Sequence, residues 1–180
     1  MRIALFALAF LLCGCGIDPE PFTVNYRAPD GAAQLAAALS KAAQIPSLRN
    51  SYGPELRVWG IPFIGNIDGY IVSGHKAMNC DVRSAAGPGG SIIVSRITCM
   101  PAVYSYTELE GIWKLMPDLL ALNGQHWGCA LGGFTLIVEG VTAGQYFFFR
   151  SSNSGICSDG RSQLVGALMS KLRPIRRDAT

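Results

Sequence analysis

Four cysteines flank two turn sequences, and this arrangement constrains the fold more than any other feature of the chain: Cys80, Cys99, Cys129 and Cys157. The first two lie on either side of a Gly-Pro-rich stretch at 85–90, and the last two on either side of a reversal at 140–144. Residues equidistant from a hairpin turn face each other at Cα separations of about 4.5–5.5 Å, which a disulfide tolerates. Four cysteines allow three connectivities. Hairpin geometry favours two disulfides, Cys80–Cys99 and Cys129–Cys157.

The N-terminal segment bears on whether these cysteines can pair. Arg2 and the free N-terminus precede an apolar run from Ile3 to Leu12, which the small residue Gly14 follows. Ten apolar residues cannot cross a hydrocarbon core about 30 Å thick, so the run is typical of a secretory signal peptide rather than a membrane span. We therefore expect residues 1–14 to be removed. The mature chain would then fold in an oxidising compartment, where an even number of cysteines pairs.

The stretch Leu12-Cys13-Gly14-Cys15 resembles the lipobox of bacterial lipoproteins. The resemblance implies that Cys15 carries a lipid on its thiol, becomes the first residue after cleavage and is acylated on its amine, with palmitate as the expected acyl group. An ordinary signal peptide followed by a chance cysteine is the alternative. By the sorting rules of diderm bacteria, Gly16 favours the outer membrane, facing the periplasm, whereas Asp18 leaves the inner membrane open.

The mature chain is expected to form one domain on a short tether. Residues 15–29 contain three prolines and little periodicity, which predicts a linker, and residues 30–174 are expected to form the domain, with a tail at 175–180. The formal net charge of +3 falls to +2 when Arg2 is lost. Such a charge is too weak to argue for a nucleic-acid partner. The membrane is expected as a partner through the lipid anchor, and contact of the basic residues at 171–177 with anionic headgroups is the alternative to a solvated tail.

Periodicity predicts an α+β domain with an antiparallel sheet of about five or six strands packed by helices. Strands are predicted near 55–59, 70–73, 80–84, 91–100, 134–139 and 145–150, and helices near 30–43, 107–122 and 159–172. Asp30 is a plausible N-cap, Thr107 and Glu110 have the spacing of a capping box, and Pro117 predicts a kink or two short helices. The last hairpin and helix, together with the strand at 55–59, resemble a layout found in small uncharacterised exported bacterial proteins. That resemblance covers about half of the chain and implies no catalytic residues.

The candidate binding loop is Ser73-Gly74-His75-Lys76, just past a predicted strand. Its Ser73-Gly74 pair resembles the Ser-Gly loop of periplasmic lysozyme inhibitors, which implies that the loop contacts a protein. An ordinary surface loop is the alternative. The other histidine, His126, precedes Cys129 by three residues, as in a Cys/His nucleophile pair. A cysteine held in a disulfide cannot act as a nucleophile, so a structural role is favoured for this pair.

These observations predict a non-enzymatic envelope protein that binds another macromolecule, with a protein of the envelope as the expected partner. The specific candidate is an inhibitor or immunity protein against a wall- or membrane-directed toxin. No cofactor is predicted, and no metal site either, because the two histidines are 51 positions apart and no Cys-x-x-Cys occurs. The competing hypothesis is an envelope hydrolase whose site assembles from dispersed residues such as His75, His126 and Glu139.

Overall fold

A long antiparallel meander, β2 to β5, forms the centre of the structure, a computed structural model that describes residues 20–48, 51, 53–128, 133–153 and 157–172. Within those residues the elements follow in the order β1 (Phe22–Asn25), α1 (Gly31–Ala42), β2 (Glu55–Pro62), β3 (Ile67–Ser73), β4 (Lys76–Ala86), β5 (Ser91–Ala102), α2 (Tyr106–Trp113), α3 (Met116–Leu120), β6 (His126–Gly128), β7 (Phe134–Thr142), β8 (Gln145–Ser152) and α4 (Gly160–Leu172). The mixed α and β architecture in one domain agrees with the prediction from periodicity.

The sheet has eight strands in the described residues, in the order β1-β5-β4-β3-β2-β7-β8-β6. The prediction of five or six strands is therefore wrong. The two strands that it omitted are β1 and β6, which form the two edges and are only four and three residues long. Segments this short contain too few residues to show alternation. The sheet is also not wholly antiparallel, because β6 pairs with β8 in parallel.

Helices cover both faces of the sheet. One apolar cluster joins α1 to one face, and a second joins α2, α3 and α4 to the other. Strand β8 shows why two layers are needed: Phe147 and Phe149 pack towards α2–α4, whereas Phe148, between them, packs towards α1. The small side chains of α1 let it approach the strands closely. Its Ala32, Leu35, Ala36 and Leu39 are all buried.

The sheet curls around α1. Tyr26, just after β1, meets Arg150 of β8, with the guanidinium carbon 5.7 Å from the ring centroid. In the sheet order, five strands separate β1 from β8. At about 4.8 Å per strand, a flat sheet would place β1 and β8 about 29 Å apart. The contact therefore requires the accumulated twist of a strongly curled sheet, which makes the face towards α1 concave.

The predicted disulfide between Cys80 and Cys99 is confirmed. The two residues are directly opposite each other on β4 and β5, with Cα atoms 4.0 Å apart. Gly69 of β3 is paired with Cys80. A Cβ atom added at Gly69 would come within 2.4 Å of the Trp59 ring. The missing side chain lets the indole lie across β3 beside the disulfide. Cys129 lies outside the described residues, so the second predicted bond, Cys129–Cys157, stays a prediction, and one disulfide rather than two is seen.

Helix boundaries differ from the predictions by a few residues for identifiable reasons. The N-cap of α2 is Ser105, not Thr107: its hydroxyl accepts from the backbone N–H of Glu108, whose carboxylate accepts from the Ser105 N–H. The segment contains two overlapping Ser/Thr-x-x-Glu patterns, and the first one forms the cap. The break expected from Pro117 is confirmed, since Pro117 opens the separate helix α3.

The N-terminal part of the domain begins earlier than the sequence suggests. Strand β1 lies inside the range 15–29 that was predicted as a linker, and it pairs with β5 from Phe22 to Asn25. Cys15 lies outside the described residues. Among the helices that the structure describes, none has the length and apolar character needed to span a bilayer.

Candidate functional site

The predicted binding loop forms the tight turn between β3 and β4. Ser73 and Lys76 pair across the turn, so Gly74 and His75 are its two central residues. Gly74 has a φ of 57°, which a glycine adopts without a steric penalty. The turn is held from two sides: the indole N–H of Trp113 donates to the Gly74 carbonyl at 3.2 Å, and the Gly74 N–H donates to the Pro54 carbonyl at 3.3 Å.

Exposed apolar side chains lie beside this turn. The His75 ring stacks on Tyr106 of α2 with centroids 6.1 Å apart. Tyr106 is 69% exposed, and Val103 and Met100 are 91% and 54% exposed. Met100 lies two residues before Ala102, which packs on the α2 side of the sheet, so Met100 points to that side too. Val103 follows Ala102, which pairs with Ala77 just past the turn, so its backbone lies at the same end of the sheet. We call the four residues at this end, His75, Met100, Val103 and Tyr106, the His75 patch.

A second feature lies on the opposite face of the sheet, beneath α1. Here β2 contributes Glu55 and Arg57, two positions apart and therefore on one face. Arg57 is 2% exposed. It donates through Nε and Nη2 to the same Glu55 oxygen, at 2.9 and 2.6 Å, and through Nη2 also to the Pro46 carbonyl. These contacts make Glu55 and Arg57 a tightly bonded buried ion pair.

Glu139 joins this pair from the neighbouring strand, because Arg57 and Glu139 are directly opposite in the β2–β7 register. The contacts of its carboxyl group are long: 3.9 Å to Arg57 Nη1, 3.4 Å to the Ser40 hydroxyl and 3.5 Å to the Tyr146 hydroxyl. Burial raises the pKa of Glu139, and the charge of Arg57 opposes this effect only in part. The protonated form is therefore favoured beyond the usual range of a glutamate.

Arg57 and Glu139 form the floor of an open groove of about 720 Å³ between α1 and the sheet. Its remaining lining comes from α1, from the segment after α1 and from Tyr146. We call this cavity the α1 groove. Sequence analysis named Glu139 but missed Glu55 and Arg57, since alternating charges on a strand usually face water. Trp59 could have indicated that this face is buried, because it lies on the same side of the strand as Glu55 and Arg57. A strand rarely exposes a tryptophan to solvent.

His126 occupies a third location, at the β6 edge of the sheet. Its Nε2 lies 2.6 Å from Nη2 of Arg150, which can only donate, so Nε2 accepts and the imidazole is neutral. Burial, and then the charge of Arg150, lower the pKa of His126.

The contacts of His126 are with Arg150, those of Glu139 are in the α1 groove, and His75 stacks on Tyr106 of α2 on the other face of the sheet. The structure therefore does not bring these three residues into one site.

Metal ligands do not cluster in the part of the chain that the structure describes: no group of three His, Cys, Asp or Glu side chains there could hold a metal ion. Among the features of the described residues, the His75 patch and the α1 groove have functional potential; Phe63 and Ile64 at the β2–β3 turn are also exposed apolar side chains. Comparison of the sequence with protein-family models and with curated proteins found no match.

Proposed function

We propose that this chain is a lipid-anchored protein of the bacterial cell envelope that binds another protein through the His75 patch. The supporting observation is the exposure of Tyr106 and Val103 around a turn held by Trp113. Aromatic and methionine side chains are enriched at protein interfaces, and a clustered apolar patch on a rigid scaffold is typical of them. The proposed anchor is the lipid on Cys15, in the outer membrane facing the periplasm.

Within this class we propose an inhibitor or immunity protein that acts against a wall- or membrane-directed toxin. Such a protein works by occupying its target, so it needs a preformed contact surface rather than convergent catalytic groups. The turn fits this requirement because its backbone is fixed by hydrogen bonds from Gly74 and Trp113. A preformed surface loses little conformational entropy on binding.

The test is affinity capture from solubilised envelopes with the full-length protein and two matched variants. Val103→Asp places a charge in the His75 patch. Ile64→Asp places the same charge on a side chain that is 85% exposed at the β2–β3 turn, at the other end of β3. We expect one stoichiometric partner, identified by mass spectrometry, to be retained by the wild type and by Ile64→Asp and lost by Val103→Asp.

Two outcomes would contradict the proposal. If Val103→Asp captures the same partner as strongly as the wild type does, the His75 patch is not the contact surface. If full activity in a wall-degradation assay appears at sub-stoichiometric amounts of the protein, it acts as a catalyst rather than as an inhibitor. Circular dichroism of both variants checks that the fold is unchanged.

A further inference from the structure

The α1 groove has the dimensions and walls of a small-molecule site. Its volume of about 720 Å³ lies within the range of ligand pockets. Its apolar walls come from Ala33 and Ala37, one turn apart on α1, and from Ile45 and Leu48 beyond the helix. The buried charged groups Arg57 and Glu139 lie at the floor, whereas the exposed Gln34, Lys41 and Ser47 also line the groove.

Arg57 has hydrogen-bond donors at the floor of the groove that Glu55 and Pro46 do not use. Its Nε and Nη2 groups are fully used by Glu55 and the Pro46 carbonyl. Its Nη1 group carries two further N–H donors. Among the described residues, the nearest carboxylate oxygen to Nη1 is that of Glu139 at 3.9 Å, which is beyond hydrogen-bond distance. A small acceptor group could therefore take hydrogen bonds from Nη1.

The neighbouring Glu139 accepts hydrogen bonds from the hydroxyls of Ser40 and Tyr146 at 3.4 and 3.5 Å, and its carboxyl group also interacts with the Trp59 side chain. Its buried position favours the protonated carboxyl, which has an O–H to donate. Lys41 also lines the groove and adds a positive charge. With Glu55 paired to Arg57, Nη1 of Arg57 and Lys41 are groups of the groove that can only donate, and the hydroxyls of Ser40 and Tyr146 can donate as well, which suits an anion.

We propose that the α1 groove binds a small amphipathic carboxylic acid, with its carboxylate between Arg57 Nη1 and Glu139 and its apolar chain against Ala33 and Ala37. A carboxylate has the acceptor oxygens that a guanidinium and a protonated carboxyl both require. This site is separate from the His75 patch, which lies on the other face of the sheet.

Binding in this arrangement requires the protonated form of Glu139. The charged and titratable groups that face Glu139 are Arg57 and Glu55 from β2, Tyr146 from β8 and Lys41 from α1. A bound carboxylate adds a like charge next to Glu139, which favours its protonated form further. The affinity should therefore fall as the pH rises and Glu139 ionises.

The experiment is calorimetric titration of the full-length protein with octanoate, and with 1-octanol as the uncharged control, at about pH 6 and about pH 8.5, where octanoate is ionised. We expect octanoate to bind about tenfold more tightly at the lower pH, equivalent to about 1.4 kcal/mol. The alcohol should bind at least about tenfold more weakly than octanoate at pH 6. Absence of octanoate binding, equal affinity at the two pH values or equal binding of the alcohol would each overturn the proposal.

Three variants locate the ligand. Ala37→Phe fills the groove from an exposed position on α1 and should weaken octanoate binding at least about tenfold. Gln163→Phe adds the same ring to an exposed position on α4, across the sheet, and should leave the affinity unchanged. Glu139→Gln keeps an N–H donor and should bind octanoate equally at both pH values. Wild-type affinity in Ala37→Phe, or an unchanged pH dependence in Glu139→Gln, would overturn the proposal.

Discussion

Glu139 adds a carboxyl group to a buried site in which Glu55 and Arg57 already neutralise each other. Removing an ion from water costs several kcal/mol, and attraction to Arg57 across 3.9 Å offsets that cost only in part. The folded protein therefore favours protonated Glu139, and its pKa is raised above the ordinary value of 4.5. The titration of Glu139 therefore contributes to the pH dependence of stability.

The change Glu139→Gln tests this dependence through the free energy of unfolding. As the pH rises above about 4.5, the unfolded carboxyl ionises first, so the wild type loses stability until folded Glu139 has ionised as well. Glutamine does not titrate, so we expect the variant to gain stability relative to the wild type as the pH rises above that value. Urea denaturation from about pH 4 to pH 9 measures the difference. A relative gain by the wild type over this range would show that the carboxylate is the favoured buried form.

The residues of the α1 groove also show what a sequence does not reveal. Glu55-Leu-Arg-Val-Trp59 was correctly predicted as a strand, but with one buried face. In the structure Leu56 and Val58 face one core, while Glu55, Arg57 and Trp59 are buried on the other side. The charges could not be assigned to a buried face because the elements that cover them are distant in sequence: α1 packs on this side of the sheet, and Glu139 of β7 lies directly opposite Arg57.

Helix α2 connects local sequence signals to the His75 patch. Its first residue, Tyr106, stacks on His75, and its last, Trp113, donates to the turn. A properly formed first turn of α2 therefore fixes the patch. The cap that forms this turn is the reciprocal pair of Ser105 and Glu108.

The changes Ser105→Ala and Thr107→Ala distinguish the two overlapping capping patterns. The Ser105 hydroxyl accepts from the backbone N–H of Glu108, so its loss should cost about 1 kcal/mol of unfolding free energy. Thr107 contacts the Ser105 hydroxyl but is not the cap residue, so its change should cost less than half as much. Urea denaturation of both variants measures this. Equal losses would mean that Thr107 contributes to the cap as much as Ser105 does.

Whether a strand or helix was predicted correctly from the sequence depended on how many residues it contains. The six strands with a clear period of two and the three helical regions were all predicted, including the interruption at Pro117. The two edge strands were not. Strand β1 lies between Pro21 and Pro29, and the prolines and weak periodicity of this segment indicated a linker. Its pairing with β5 depends on a partner about 70 residues away, which no local pattern specifies.

The curl of the sheet around α1 is a property of the whole molecule. It follows from the accumulated twist of eight strands and brings Tyr26 to Arg150. One result is that α1 lies in a concave face, which leaves the α1 groove beside it. Another is that the N-terminal strand is fixed to the sheet, so the chain between Cys15 and Phe22 is the whole of the proposed tether. Seven residue steps span at most about 25 Å, which would hold the domain close to the membrane surface.

The proposed tether can be tested on the whole molecule in cells. Cys15→Ser removes the proposed lipid site, and Cys13→Ser is the matched control because Cys13 would leave with the signal peptide. We expect the Cys15→Ser protein to be released from membranes by a salt and carbonate wash, and the Cys13→Ser protein to sediment with them like the wild type. Fractionation followed by mass spectrometry of the N-terminal peptide measures both location and acylation. Sedimentation of Cys15→Ser with the membranes after the wash would mean that something other than this lipid attaches the domain.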